Sequence, residues 1–417
     1  MDQKKLAWNY IDNNIDELIA LLQEMISYKS VYLREEGMQK YMASYLANMG
    51  ANIDMWYPDI NEMRKHPAFC VDRDNFDTSP IVVGEFKGSG GGRSLIINGH
   101  VDVVPEGDNW DYDPYEGKLV DGIIYGRGAN DMKGGLAAAI FALKAIIDSG
   151  LKLKGDVLVE SVIDEEIGSS GALATVLMGY RADGAIIPEP TKYELVPANQ
   201  GSSFFRISVR GKKAHGAYHY LGVNAIKKAQ FIMDRLDELE EKRQVEFYND
   251  LFSRFKIQAP ISVGKFNSGT WPSMSPDLAV MEGRYGITTG ETVEEARKYF
   301  EDFIYEACKE DEWLSKNPPT IEWMEHWNSG STSLDSDIVR EVAKVYKELE
   351  DKEPVITGWA APTDLSILTR YGNIPTLVYG PGNESLHKNN EYIEVADLKN
   401  YARHMVSIII DWCGLVK

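Results

Sequence analysis

The first residues, MDQKKLAWNYIDNNIDELIALLQEMI, carry apolar positions at helical spacing and predict a helix over about 3–28. A second helical pattern falls near 38–49, and strands are predicted near 51–57 and 81–87. KGSGGG reads as a hairpin turn before the strand SLIING. After Lys133, GGLAAAIFALKAII predicts a helix, DVLVESVI a buried strand, residues near 170–179 a helix, and GAIIP another strand. Strands alternating with helices imply a largely parallel sheet covered on both faces.

The pattern changes after about Gly201. FFRISVRG, PISVGKF, LAVMEGRYGI and TIEWMEHW predict strands, and NAIKKAQFIMDRLDELEEK and TVEEARKYFEDFIYEAC predict helices. Two helices and four strands suit a small α+β domain. From about Ser331 the strand/helix alternation resumes, with TLVYG as one more buried strand. The expected organisation is one discontinuous α/β domain, residues 1–200 and 329–417, interrupted by an α+β domain at 201–328.

Composition narrows the function. A chain of 417 residues with 44% hydrophobic residues can build a full core, and its length makes two domains the default. The net charge of -20 argues against nucleic acid as a partner and is compatible with cation binding. Cys70, Cys308 and Cys413 are too few and too scattered for a disulfide framework, which fits a reducing compartment. The N-terminus is too acidic for a signal peptide, and no apolar run approaches a membrane span, so a cytoplasmic protein without membrane contact is expected.

Candidate chemistry collects at strand ends. SLIING ends at His100, with Asp102 two residues on; Asp131 sits in YGRGANDMKGG just before a helix. DVLVESVI runs into Asp164, Glu165 and Glu166, GAIIP leads to Glu189, and TLVYG leads through PGNESLHKNNEY to His387. In open α/β sheets, ligands bind beyond the carboxyl ends of the strands. His and carboxylate ligands suit zinc or a similar divalent ion, and two ions sharing a carboxylate suit hydrolysis. A lone histidine or an acidic helix start is ordinary structure, but this set falls at successive strand ends. KGSGGGR lacks the Lys-Ser/Thr of a phosphate loop and remains a turn.

NGHVDVVP, YGRGANDMKGG, DEEIGSSGA, PEPT, GKKAHGAYHYLGVNAI and GPGNESLHKNNEYI together resemble the M20 metallopeptidases, the family of acetylornithine deacetylase, succinyl-diaminopimelate desuccinylase, aminoacylase and carboxypeptidase G2. The resemblance covers most of the chain. It implies a zinc-exopeptidase-like α/β catalytic domain with an inserted α+β lid and dimerisation domain. It further implies two zinc ions, for which cobalt or manganese can substitute. His100 and Glu189 would hold one, Glu166 and His387 the other, and Asp131 would bridge. Asp102 would orient His100, Glu165 would be the general base, and the Asp131–Met132 peptide would be cis. On an extended backbone Glu165 and Glu166 would point in opposite directions, one to water and one to metal.

The same resemblance implies a homodimer, with His215 reaching a neighbouring site to stabilise an oxyanion and Arg284 binding a substrate carboxylate. Ser273 replaces the family's usual Asn, and His219 stands where Pro is common, so the substrate pocket departs from the pattern. WPS and APTDLS lean towards the deacetylase/desuccinylase-like subgroup. The expected activity is hydrolysis of a small N-acylated amino acid or related amide. A dipeptidase or carboxypeptidase with the same site, and an inactive metal- or ligand-binding homologue, are the alternatives. A homologue without activity has no use for a base at Glu165.

Overall fold

A computed structural model describes residues 3–416. The chain condenses into two compact units. The first takes residues up to Ala198, Ser331–Thr357 and those from Thr363 onward; the second takes Asn199–Gly330 and the short excursion Gly358–Pro362.

The first unit is built on a nine-stranded mixed sheet. Leu95–His100 lies near its centre, parallel to Val157–Val162 on one side and to Gly184–Ile187 on the other. Thr376–Val378 extends the parallel part beyond Gly184–Ile187. Ile81–Phe86 and Asn52–Trp56 add antiparallel strands at the opposite edge. The central strands are buried along their whole length, as continuous apolar runs demand when both sheet faces are covered. Helices Lys133–Asp148 and Val395–Cys413 pack on each other and on the central strand; Ser170–Met178 and Leu365–Arg370 form another packed pair. The chain leaves Leu95–His100 to one side and later crosses to the other. The carboxyl ends of these strands therefore border the crevice where open α/β sheets bind ligands.

Two local expectations are corrected. The glycine-rich stretch after Phe86 is not a hairpin turn, because Val157–Val162 lies between Ile81–Phe86 and Leu95–His100 and pairs with both. The connection instead packs along Leu153–Gly155, where Ser89 and Gly90 donate to the carbonyls of Leu153 and Lys154. A Cβ on Gly88 would stand 2.3 Å from the Lys154 carbonyl oxygen, and one on Gly92 2.0 Å from that of Cys413. Close backbone approach, not a tight turn, is what those glycines permit. The N-terminal helix divides into Gln3–Asn13 and Ile15–Ser27, with Asn14 between them.

The second unit is a four-stranded antiparallel sheet in the order Ile261–Ser268, Leu278–Ile287, Gly201–Arg210, Thr320–Trp327. Helices Ala225–Glu246 and Val293–Cys308 supply its core with residues such as Ile232, Leu236, Phe300 and Ile304, against Phe205, Ile207 and Met281 of the strands. Thr292 and Glu295 form a reciprocal capping box that starts the second of these helices. Cys308 and Cys413 are buried free thiols. Among the described residues no helix is long and apolar enough to cross a membrane.

Candidate metal centre

His100 ends the central strand with its ring fully buried, and its Nε2 has no hydrogen-bond partner. Three carboxylates surround that atom: Asp131 Oδ1 at 3.3 Å, Glu189 Oε1 at 3.6 Å and Glu165 Oε2 at 4.0 Å. On the far side of Asp131, His387 Nε2 lies 3.1 Å from Asp131 Oδ2 and 3.0 Å from Glu166 Oε2. Asp131 thus stands between the two histidines, one carboxylate oxygen towards each. Among the described residues, two groups of side chains are close enough to hold an ion: His100, Asp131 and Glu166, and His100, Glu165 and Glu189.

Local backbone places these groups. The Asp131–Met132 peptide is cis. Asp164 takes a left-handed conformation, φ 62°, and a single 3-10 turn follows from Glu165 to Ile167. Glu165 and Glu166 therefore do not lie on extended backbone. The turn still separates them, sending Glu165 to His100 and Glu189 and Glu166 to His387. His100 Nδ1 meets the backbone carbonyl of Asp102 at 2.9 Å, closer than the Asp102 carboxylate at 3.5 Å. That carboxylate accepts the N–H of Glu166 at 3.2 Å, so Asp102 ties the first ligand strand to the acidic turn.

The four acids of the cluster outnumber its two imidazoles. Burial, then repulsion from Asp131, pushes Glu189 well above the usual carboxylate range. Burial likewise raises Glu165, reinforced by Glu189 and Glu166, and raises Glu166, reinforced by Asp131. Asp131 is held low despite its burial, because the imidazoles of His100 and His387 flank its two carboxylate oxygens. Hydrogen bonds to Asp131 and Glu166 push His387 up to about 10. So many acids around two imidazoles cannot all ionise in a buried site without a cation. The imidazole and carboxylate donors, together with the orphaned His100 Nε2, fit divalent ions of the zinc type.

Asp164, first of the three consecutive acids, turns away from the cluster. Its carboxylate pairs with Arg73 Nη1 and accepts from the Ser170 hydroxyl. Arg73 also donates to Ser79, whose hydroxyl donates to the buried Glu35, itself pushed up to about 8 by its burial. Glu391 is a further residue that strand-end reasoning missed, although it lies four positions after His387. It accepts from Arg127 and from the backbone N–H groups of Gly128, Asn130 and Asp131, which fixes the loop that carries Asp131. Asp364, from APTDLS, is fully buried and raised to about 7 by burial, within reach of the charges of His100, Asp102 and Asp164.

His215 and Arg284 belong to the second unit. His215 is exposed on the short strand Ala214–His215, opposite Met274, and its Nδ1 accepts from the N–H of Ala217. Arg284 is half-buried on Leu278–Ile287, between Phe204 and Ser262 of the neighbouring strands. Neither is among the residues brought together around His100.

A mixed α/β sheet with histidines and acids gathered at its strand ends is an arrangement suited to a metal-dependent hydrolase. The model of Peptidase family M20/M25/M40 matches residues 96–411, and the chain belongs to that family. It is similar to N-formyl-4-amino-5-aminomethyl-2-methylpyrimidine deformylase of Halalkalibacterium halodurans, 30% identical over 98% of this chain and 97% of that protein. Acetylornithine deacetylase of Myxococcus xanthus is also 30% identical, over 78% of this chain and 82% of that protein. Among solved structures, a tripeptidase from Staphylococcus aureus superposes with a TM-score of 0.74 at 21% identity, covering 96% of this chain and 99% of that one. That likeness carries the fold.

Proposed function

We propose that this M20 hydrolase is a two-metal deacylase that cleaves the amide of a small N-acylated amino acid or related N-acyl amine. His100 and Glu189 would hold one ion, Glu166 and His387 the other, and Asp131 both. When bound, the ions would polarise the amide carbonyl and lower the pKa of water. Glu165 accepts the proton of the attacking water at its carboxylate and returns it to the leaving amine nitrogen as the C–N bond breaks. Asp102 holds His100 and the Glu166 turn in register. The full-length likeness to a deformylase and the likeness to a deacetylase support deacylation over peptide cleavage.

In the same reading the chain acts as a homodimer, His215 donates to the developing oxyanion, and Arg284 receives a substrate carboxylate. The exposed strand Ile261–Ser268, at the edge of the second unit's sheet, supports pairing with another copy, since an edge leaves backbone groups unpaired.

The observation that carries the reading is the divergence of two adjacent acids, Glu165 towards His100 and Glu166 towards His387. Glu165→Gln should lower kcat about 10²–10⁴-fold with metal content unchanged. Glu166→Gln should lower the metal content. Both are measured side by side on N-formyl, N-acetyl and N-succinyl amides and on dipeptides. Loss of metal from Glu165→Gln alone would make Glu165 a ligand, and faster turnover of dipeptides than of every acyl amide would make the protein a peptidase.

A further inference from the structure

A side pocket of about 230 Å³ opens beside the acidic turn, within the first unit. Val31, Val103, Val104, Pro105 and Ile167 form its apolar walls, and Tyr32 stands at its rim. The Tyr32 hydroxyl is already committed, donating to the carbonyl of Asp72 at 2.7 Å. The charged side chains that line the pocket are all acids: Asp102, Asp164 and Glu166. Two of them touch the candidate centre directly, Glu166 through His387 and Asp102 through His100. The volume falls below the roughly 300–1,000 Å³ of whole-ligand sites, so it suits one substituent of a substrate rather than an entire molecule.

Arg73, the cation paired with the lining acid Asp164, is not available to an anion there. Arg73 is fully buried, and its nitrogens are engaged by Asp164, Ser79 and the Asn75 carbonyl, with its guanidinium carbon 3.9 Å from the Phe76 ring centroid. Asp102 Oδ1 and Asp164 Oδ1 are buried without hydrogen-bond partners, so the side-chain polar atoms left over are acceptors. A carboxylate entering this pocket would lose its water and meet like charges with no side-chain donor free to receive it.

We infer that this pocket seats a small uncharged substituent of the amide substrate and rejects an anionic one, so that succinyl-type groups are excluded from it. The inference rests on the proposed amide hydrolysis and adds the substrate class that its site selects. It separates this chain's preference from that of the desuccinylase relative of Psychromonas ingrahamii, 27% identical over 92% of this chain and 95% of that protein.

The test compares two substrate pairs that differ by one carboxylate: N-butanoyl against N-succinyl on a common amine, and N-acetylbenzylamine against its 4-carboxy derivative. Each is measured on the metal-loaded wild type and on Val104→Arg and Val31→Lys, which place a cation at the pocket wall. In the pair whose variable arm enters the pocket, wild-type kcat/KM should favour the neutral member by about 10²-fold or more, since an unpaired charge is costly to bury. Either variant should shrink that ratio by about tenfold or more, as a charge-assisted contact would. Ratios near one in both pairs, or ratios that neither folded variant moves, would overturn the pocket assignment while leaving amide hydrolysis standing. Absence of turnover on every amide would remove the proposed function and this inference together.

Discussion

Two sets of buried carboxylates lie a few residues apart in the first unit, and they are balanced in different ways. Glu391 has its counter-charge in the chain, Arg127 at 2.7 Å, plus three backbone N–H donors. Asp164 has Arg73. Glu165, Glu166, Glu189 and Asp131 converge on two imidazoles and on no arginine or lysine. The first set holds loops in place with charges that the protein itself carries. The second sets four acids against two imidazoles, an excess of negative charge that suits a cation site better than a structural network.

That contrast can be broken most forcefully at Glu391. Replacing it with Gln leaves Arg127 buried without its anionic partner and turns one of the two acceptor oxygens of the Asp131 loop into a donor. Stability should fall by about 3–5 kcal/mol, the usual cost of breaking a buried pair. Denaturant unfolding of the metal-free protein measures it. Glu189→Gln, equally buried, should stay within about 1 kcal/mol of wild type in that experiment, because Glu189 has no arginine or lysine partner to strand and sits among acids that repel its charge. A large loss at Glu189 would mean that the cluster is structural.

The pH dependence sharpens the same point. In the metal-free protein His387 is held up to about 10, above its unfolded value of 6.5. A raised pKa means tighter proton binding in the folded state. Its stabilising contribution is therefore complete below pH 6.5 and is lost as pH rises through about 10. Metal must displace that proton, so measured affinity should climb with pH across this window, by up to about tenfold per unit for one proton released. Calorimetric titration in buffers of different ionisation enthalpy counts the protons. Affinity independent of pH from about 6.5 to about 9.5 would contradict the ligand role of His387.

Much of the centre is legible in the amino-acid sequence. His100, Asp131, Glu189 and His387 follow buried strands or open a helix, and period and apolar run length place such positions well. The roles inside the acidic triplet are harder to see. Asp164, Glu165 and Glu166 are adjacent acids, and only the left-handed Asp164 and the turn after it send them to three different partners. Asp164 is held by Arg73, 91 positions away, and Glu391 by Arg127, 264 positions away; no local periodicity announces such pairs. The hairpin expected at KGSGGG fails for the same reason, because strand Val157–Val162, which enters between its arms, comes much later in sequence. The preference of His100 for the Asp102 carbonyl over its carboxylate depends on side-chain geometry that spacing alone does not determine.

The central claim is that divalent ions supply the missing charge of the His100–His387 cluster. Isothermal titration of the metal-free full-length protein with zinc at neutral pH, on wild type and on Glu166→Gln, tests it most directly. The account predicts two ions per wild-type chain and one tight site lost in the variant. Binding of no ion, or of two ions with unchanged affinity after Glu166→Gln, would contradict it.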